Sequence, residues 1–312
     1  MVIKGYNVGA LLRRTGKEIL ADGVPTLAAQ TAYYFFFSLF PLLLFLTPLL
    51  SLVGERDQVM QFLTWQIQSS VRGDAAKPLA DALANVVYSE NAPGLMSVGA
   101  LLAAWSGSNI FGSLMASLNT AYDVEENRPW WKRQLLRLFV FVVAAVIMIL
   151  ATVTILAGED IIDRVGMFIG IGHTGRLVWT IIQFPLAFSF LVGLGFMVYY
   201  FLPNVRQDWR KVVVASAVMT VLWIAATLAF RMYVQYFPPN PTYGFIGGVI
   251  ILLTWMYYSM FVVLAGGELA AELQHGTGAA KPETGAVYHG RILSEGPTDT
   301  SSVARTKQAR DA

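Results

Sequence analysis

Cysteine is absent from this 312-residue chain. Its absence excludes a disulfide framework, a thiol nucleophile and a thiolate metal site, and leaves the redox compartment open. Histidine is almost missing as well: His173, His275 and His289 are the three, and none belongs to a ligand-spaced pair. No Gly-rich loop ends in Lys-Ser or Lys-Thr, which speaks against direct ATP hydrolysis. Charge is scarce, at 13% of residues against about 25% in a soluble domain. The net charge of +2 is too balanced for a nucleic-acid partner. We therefore expect no cofactor, no bound metal and no nucleic acid.

What the chain has instead is uncharged length. From Asp22 to Glu55, and again from Glu90 to Asp123, 32 residues pass without Lys, Arg, Asp or Glu. A helix crosses a bilayer core in about 20 residues, and a charge at its centre costs roughly 2.5–3.5 kcal/mol. These gaps read as membrane spans. We place six helices, at about 27–53, 94–121, 138–158, 177–202, 211–231 and 244–267. The third has 21 uncharged residues between Arg137 and Glu159, and the fifth has 19 between Lys211 and Arg231. Extending the fifth to Tyr236 would put Arg231 inside the membrane. Pro41 and Pro48 predict a kink or a break in hydrogen bonding in the first span.

The loops set the orientation. The amino end, the second and fourth loops and the tail hold 16 Lys/Arg against 6 in the other three loops, or 11 against 6 without the tail. The positive-inside rule puts both termini in the cytoplasm. Residues 1–26 hold only short apolar runs, and no small-residue cleavage pattern follows the first long one. The first span is expected to act as its own insertion signal. Residues 7–22 mix Leu11, Leu12, Ile19 and Leu20 with Arg13, Arg14 and Lys17, as a helix lying on the inner leaflet would. Apolar residues at helical spacing predict two short amphipathic helices in the outer loop 54–93. From about Gly276 no apolar period remains, so the tail is expected to be disordered. The fold class is all-α: a polytopic membrane protein divided into a cytoplasmic interfacial helix (1–26), a membrane domain (27–273) and a tail (274–312).

Several motifs carry a resemblance. Ala32-Tyr33-Tyr34 leads to Pro41, and Ser117-Leu118-Asn119-Thr120-Ala121-Tyr122-Asp123 leads to Arg128-Pro129-Trp130-Trp131-Lys132-Arg133. Tyr199 to Pro203 follows, then Tyr243-Gly244-Phe245-Ile246-Gly247-Gly248, Trp255-Met256-Tyr257-Tyr258 and Gly266-Gly267-Glu268-Leu269. In this order, over roughly residues 10–273, the chain resembles the YihY / virulence factor BrkB family. The resemblance implies a bacterial inner-membrane protein with six spans and both termini inside, linked with envelope lipid or small-molecule movement and without a settled activity. Gly-Gly-Glu stands at 266–268 where the family often has Gly-Ala-Glu. Some members carry a ribonuclease BN label, but the residues here supply neither clustered metal ligands nor an acid/base pair in a basic groove. We expect a protein that is not an enzyme.

Candidate sites are few. Arg128, Lys132, Arg133 and Arg137 form a basic loop beside two tryptophans, suited to a lipid headgroup or an anionic solute; ordinary inner-face anchoring is the plainer reading. Asn119 and Tyr122 end the preceding span, where they would cap the helix or orient that loop. Asn109, Ser113 and Ser117 lie four apart with Gly112 and Ala116, a spacing that favours helix packing and would also line a polar path. Glu268, at the inner end of span six, would bind a proton or cation if it lay within the membrane; a boundary acid more simply faces water. Gln30 and Gln183 should face protein or a cavity, and Arg231 lies inside the bilayer if span five is long. The expected function is to bind or transport a lipid or an amphipathic or anionic envelope solute through Gln30, Asn109, Ser113 and Arg231. A non-transporting scaffold for envelope assembly is the alternative. A lipid-accessible cavity would favour the first, tight packing throughout the second.

Overall fold

The computed structural model describes residues 2–3, 6–53, 92–156, 172–236, 244–275 and 281–282, with isolated residues at 60–61, 64 and 84. Seven helices dominate the described residues. They are α1 (Val8–Ala21), α2 (Val24–Val53), α3 (Ala92–Ala121), α4 (Trp130–Leu156), α5 (Gly172–Phe201), α6 (Trp209–Tyr236) and α7 (Gly244–His275). Two-residue strands β1 (Val2–Ile3) and β2 (Tyr6–Asn7) pair with each other, as do β3 (Val205–Arg206) and β4 (Lys281–Pro282). The helices expected within 54–93 and the tail from Gly276, apart from β4, lie outside the described residues.

Five helices contain segments long and apolar enough to cross a membrane: Ser97–Ala121, Trp130–Thr152, Val178–Phe201, Trp209–Tyr236 and Ile246–Gln274. The chain is a membrane protein with several such helices. Three boundaries differ from those read off the sequence. α4 begins at Trp130 rather than near residue 138, so the expected basic loop is the first two turns of a helix. Pro129 starts it by accepting the backbone N–H groups of Lys132 and Arg133, a role open to proline because it uses only the carbonyl. α6 takes the longer option and ends at Tyr236, with Arg231 exposed on it. α2 runs as one helix through Pro41 and Pro48.

The helices form a closed ring in which each packs on its neighbour in sequence, and α7 returns to α2. α7 also reaches α3 and α5, and α1 lies across α7 and α2. One end of the ring is tight. Val24, Ala28, Leu118, Tyr199, Leu202, Val212, Ala215, Leu264 and Ala270 are buried there together. Sequence explains the closeness. A Cβ on Gly266 would strike the Tyr199 hydroxyl and the Met219 side chain, and one on Gly267 would strike Leu118.

Two turns set the geometry of this end. Gly23 adopts φ +65° between α1 and α2, a conformation that costs glycine nothing. α3 ends with Asp123 at φ 53°; Asp123 N–H donates to Thr120 C=O (2.9 Å) and Val124 N–H to Asn119 C=O (2.9 Å). That is a Schellman closure with an aspartate in the left-handed position.

Candidate functional site

The tight end is closed by a polar network that joins three turns. Asn119 donates from Nδ2 to Glu126 Oε2 (3.0 Å) and accepts the Asn204 backbone N–H at its Oδ1 (2.9 Å). Glu126 takes Arg128 in a two-pronged pair, Nε to Oε1 at 2.8 Å and Nη2 to Oε2 at 2.6 Å, and also accepts the Arg128 backbone N–H (3.0 Å). The same Nη2 donates to Leu202 C=O (2.6 Å). Tyr122 donates to Gln207 Oε1 (2.6 Å), and Gln207 donates to Tyr199 C=O (2.8 Å). Gln274 of α7 is fully buried and clasps the backbone of Asp208, accepting its N–H (3.2 Å) and donating to its C=O (3.0 Å). Asp208 in turn caps α6 through Oδ1 and Arg210 N–H (3.0 Å).

Electrostatics follow from this packing. Burial alone would raise the Glu126 carboxyl. The hydrogen bonds from Arg128, its charge and the Asn119 amide outweigh burial and hold Glu126 below the usual carboxylate range. Burial, and then the charge of Glu268, pushes the Tyr122 phenol above its ordinary range.

A second cluster sits on α4. Arg133 and Arg137 are one turn apart, and the Nε of each is buried with no hydrogen-bond partner among the described residues. The Arg137 guanidinium lies on Gly112 of α3, filling the space a Cβ would take, and Phe141 does the same at Gly107. Tyr34 of α2 lies near Arg137. Trp130 and Trp131 are 66% and 58% exposed at the start of the same helix, and Lys132 Nζ lies 5.4 Å from the Trp131 ring centre. α4 has no acid in its first turn. Two like charges one turn apart on a helix repel each other.

The structure thus divides the residues expected from sequence. Asn119, Tyr122 and Arg128 meet in the polar network, where Arg128 is committed to Glu126. Arg133 is beside Arg137, and Lys132 is exposed next to them. Gln30, Asn109, Ser113 and Arg231 are not brought together. Gln30 is exposed, Asn109 is half-buried, and Arg231 sits on α6, which packs mainly on α5 and α7. Ser113 shares a 2.8 Å hydrogen bond with Thr31 of α2. Because Thr31 donates to Leu27 C=O (2.9 Å), Ser113 is the donor. Gln183 is buried, as a glutamine in such a helix should be. Glu268 does not face water: it is 2% exposed, because α1 covers that end of α7.

Glu126, Asn204, Gln207, Asp208 and Gln274 escaped the sequence reading. The one signal was their setting, in short polar connections between long apolar helices, where unsatisfied turns must find partners. Gly9, Ala10, Arg13, Arg14 and Lys17 line an open depression of about 570 Å³ on α1. Its lining residues all belong to this one helix. Among the described residues no three His, Asp or Glu side chains are placed to hold a metal ion.

Residues 15–287 match the family model described as virulence factor BrkB. A ribonuclease-like protein of Bacillus subtilis, YfkH, is 30% identical over 248 residues, covering 79% of this chain and 88% of its own. A UPF0761 membrane protein of Rhodospirillum centenum is 26% identical over 246 residues, 75% of this chain and 51% of its own. One from Psychromonas ingrahamii is 24% identical over 260 residues, 81% and 84% of the two chains. This chain therefore spans about half of one such relative and most of the other two. No solved structure matches.

Proposed function

Since this chain belongs to the virulence factor BrkB family of membrane proteins, we propose that it binds an anionic lipid or amphipathic envelope solute through Arg133 and Arg137. The pair of buried, unpartnered Nε atoms is the observation that carries this reading. Both side chains are half-buried, and the one nitrogen of each that is out of water favours an anion or acceptor. Glu126 is already taken by Arg128. Arg137 lies seven residues beyond Trp130, about 10 Å along the helix axis. With the tryptophans at the interface, that depth suits a lipid phosphate drawn slightly inward, and arginine forks match phosphate oxygens well.

In this reading α2 supplies a sixth span beside the five apolar helices. An even number then leaves both ends on the cytoplasmic face of the bacterial inner membrane. α1 lies on that face, with Arg13, Arg14 and Lys17 exposed beside Leu12 and Leu20. The tight polar end favours binding over a continuous conduit, which supports the scaffold alternative more than a transporter. We also read the protein as a non-enzyme; the ribonuclease wording belongs to the relative's name.

The test is lipid binding by the full chain in nanodiscs, measured by native mass spectrometry with phosphatidylglycerol and phosphatidylcholine. The protein should retain phosphatidylglycerol preferentially. Replacing both arginines by glutamine should weaken that retention by about tenfold or more, as lost charge-assisted hydrogen bonds of ~1.5–3 kcal/mol imply. Equal retention of the two lipids, or no effect of the double variant at unchanged thermal stability, would sink the reading.

A further inference from the structure

We propose that Trp179 and Gln183 of α5 form a further binding site, which takes the glycerol unit of an uncharged lipid of the diacylglycerol type. Two polar groups one turn apart carry the argument. The Trp179 indole N–H is buried and has no hydrogen-bond partner among the described residues. Gln183 is 8% exposed, and its amide makes no hydrogen bond among the described residues. Side chains four positions apart share a helix face, and Ala187 continues this face as a buried position. Val178, Ile181, Ile182 and Phe184 are exposed on the other sides of the helix. The pair therefore looks inward, towards α4 and α6, on which α5 mainly packs.

The neighbouring helices do not answer these groups. Thr154, buried near the far end of α4, already donates its hydroxyl proton to Leu150 C=O (2.7 Å). Arg231, near the far end of α6, is exposed. Pro185 follows Gln183 by two positions and has no N–H for the Ile181 C=O, which weakens α5 at this level. An amide and an indole left uncompensated inside an apolar bundle are costly, and a bound polar group relieves that cost.

Depth and chemistry narrow the ligand. The apolar segment of α5 begins at Val178, so Trp179 lies at its edge and Gln183 about 7 Å within. That is the level of the glycerol backbone and its ester carbonyls, where tryptophan gathers in membrane proteins. An indole N–H only donates, whereas a glutamine amide both donates and accepts. The ligand must then offer two acceptors and one donor, all uncharged. Ester carbonyls supply the acceptors, and the donor has to be a hydroxyl at the same depth. A two-chain phospholipid lacks one there, because phosphate occupies the third glycerol oxygen and carries charge outward. Diacylglycerol holds both esters and a free hydroxyl in one glycerol unit. The pair lies near the start of α5, away from the tight end, whereas Arg133 and Arg137 lie near the start of α4 beside that end. The two sites are therefore independent.

Native mass spectrometry of the full chain, in nanodiscs doped with dioleoylglycerol or with the ether in which its hydroxyl is methylated, provides the test. The protein should retain dioleoylglycerol about fivefold better than the ether, the factor that one neutral hydrogen bond implies. Gln183→Leu should lower that retention by a similar factor while the melting temperature holds or rises, because an apolar side chain replaces an unpartnered polar one. Trp179→Phe, which keeps a ring and removes the N–H, should lower retention likewise. Replacing Arg133 and Arg137 by glutamine should leave retention of dioleoylglycerol unchanged, which separates this site from the one on α4. Equal retention of the two lipids overturns the proposal, as does full retention by both α5 variants. Failure to hold dioleoylglycerol at all, the result if the pair binds only water, overturns it too. A fall in the melting temperature of Gln183→Leu does the same, since the amide would then have a partner within the protein.

Discussion

Glu126 shows how one carboxylate organises a turn. It accepts three hydrogen bonds from Arg128 and one from Asn119, and these hold its pKa below the ordinary value. A depressed folded pKa contributes stability that is fully present above the unfolded carboxylate range and is lost as pH falls through the folded value. Glu126→Gln should therefore lower thermal stability at neutral pH and flatten its decline in acid. Melting curves at neutral and acidic pH check both halves. Gly112 is the other telling residue. An alanine there meets only the far end of the flexible Arg137 side chain, so Gly112→Ala should leave the melting temperature nearly unchanged. It should shift the guanidinium and weaken retention of phosphatidylglycerol several-fold, which native mass spectrometry would show. Loss of stability without loss of lipid would refute this placement.

At the scale of the helix, close approach decides what is tolerated. Gly266 and Gly267 let α7 touch Tyr199, Met219 and Leu118, and the neighbouring contacts include the rigid Met219 Cβ. Gly266→Ala forces a helix to shift, whereas Gly267→Ala meets only the end of the Leu118 side chain and should cost less; overpacking of the first kind costs about 1–3 kcal/mol. Gly248, with open space around it, serves as the control: Gly248→Ala should be close to neutral in the same denaturation assay. The early start of α4 belongs to this scale too. Hydropathy marks where a span becomes apolar, but a helix begins where its first turn is capped. Pro129 supplies that start eight residues before the charges end. The residues Trp130 to Arg137 thereby acquire a helical face, and Arg133 and Arg137 fall on the same side of it.

The whole molecule is a ring whose one end is knotted by polar turns and covered by α1. The proposed orientation rests on the basic residues concentrated on that end, with Arg128, Lys132, Arg133, Arg206, Arg210 and Lys211 all in or beside its turns. Single cysteines at Leu12 and Trp209 should both react with a membrane-impermeant maleimide only after the cytoplasmic face is opened. Labelling of either from the outside of intact cells would reverse the orientation. Substituting a neutral residue for Arg231, exposed on α6, should change neither the fold nor this labelling pattern.

Much of the architecture was legible because hydrocarbon compatibility is a property of each residue added along a window. Long uncharged runs, their lengths and the aromatic and basic residues at their ends required no knowledge of neighbours. The pairing of polar groups was not legible in the same way. Asn119 meets Asn204 across 85 positions and Asp208 meets Gln274 across 66, and nothing local to either residue names its partner. Only the tertiary structure decided that Arg128 is spent on Glu126, that Arg133 and Arg137 are not, and that Glu268 is shut away from water. Those outcomes depend on how each helix is rotated and how tightly glycine lets it approach, and hydrogen bonds form only within that geometry.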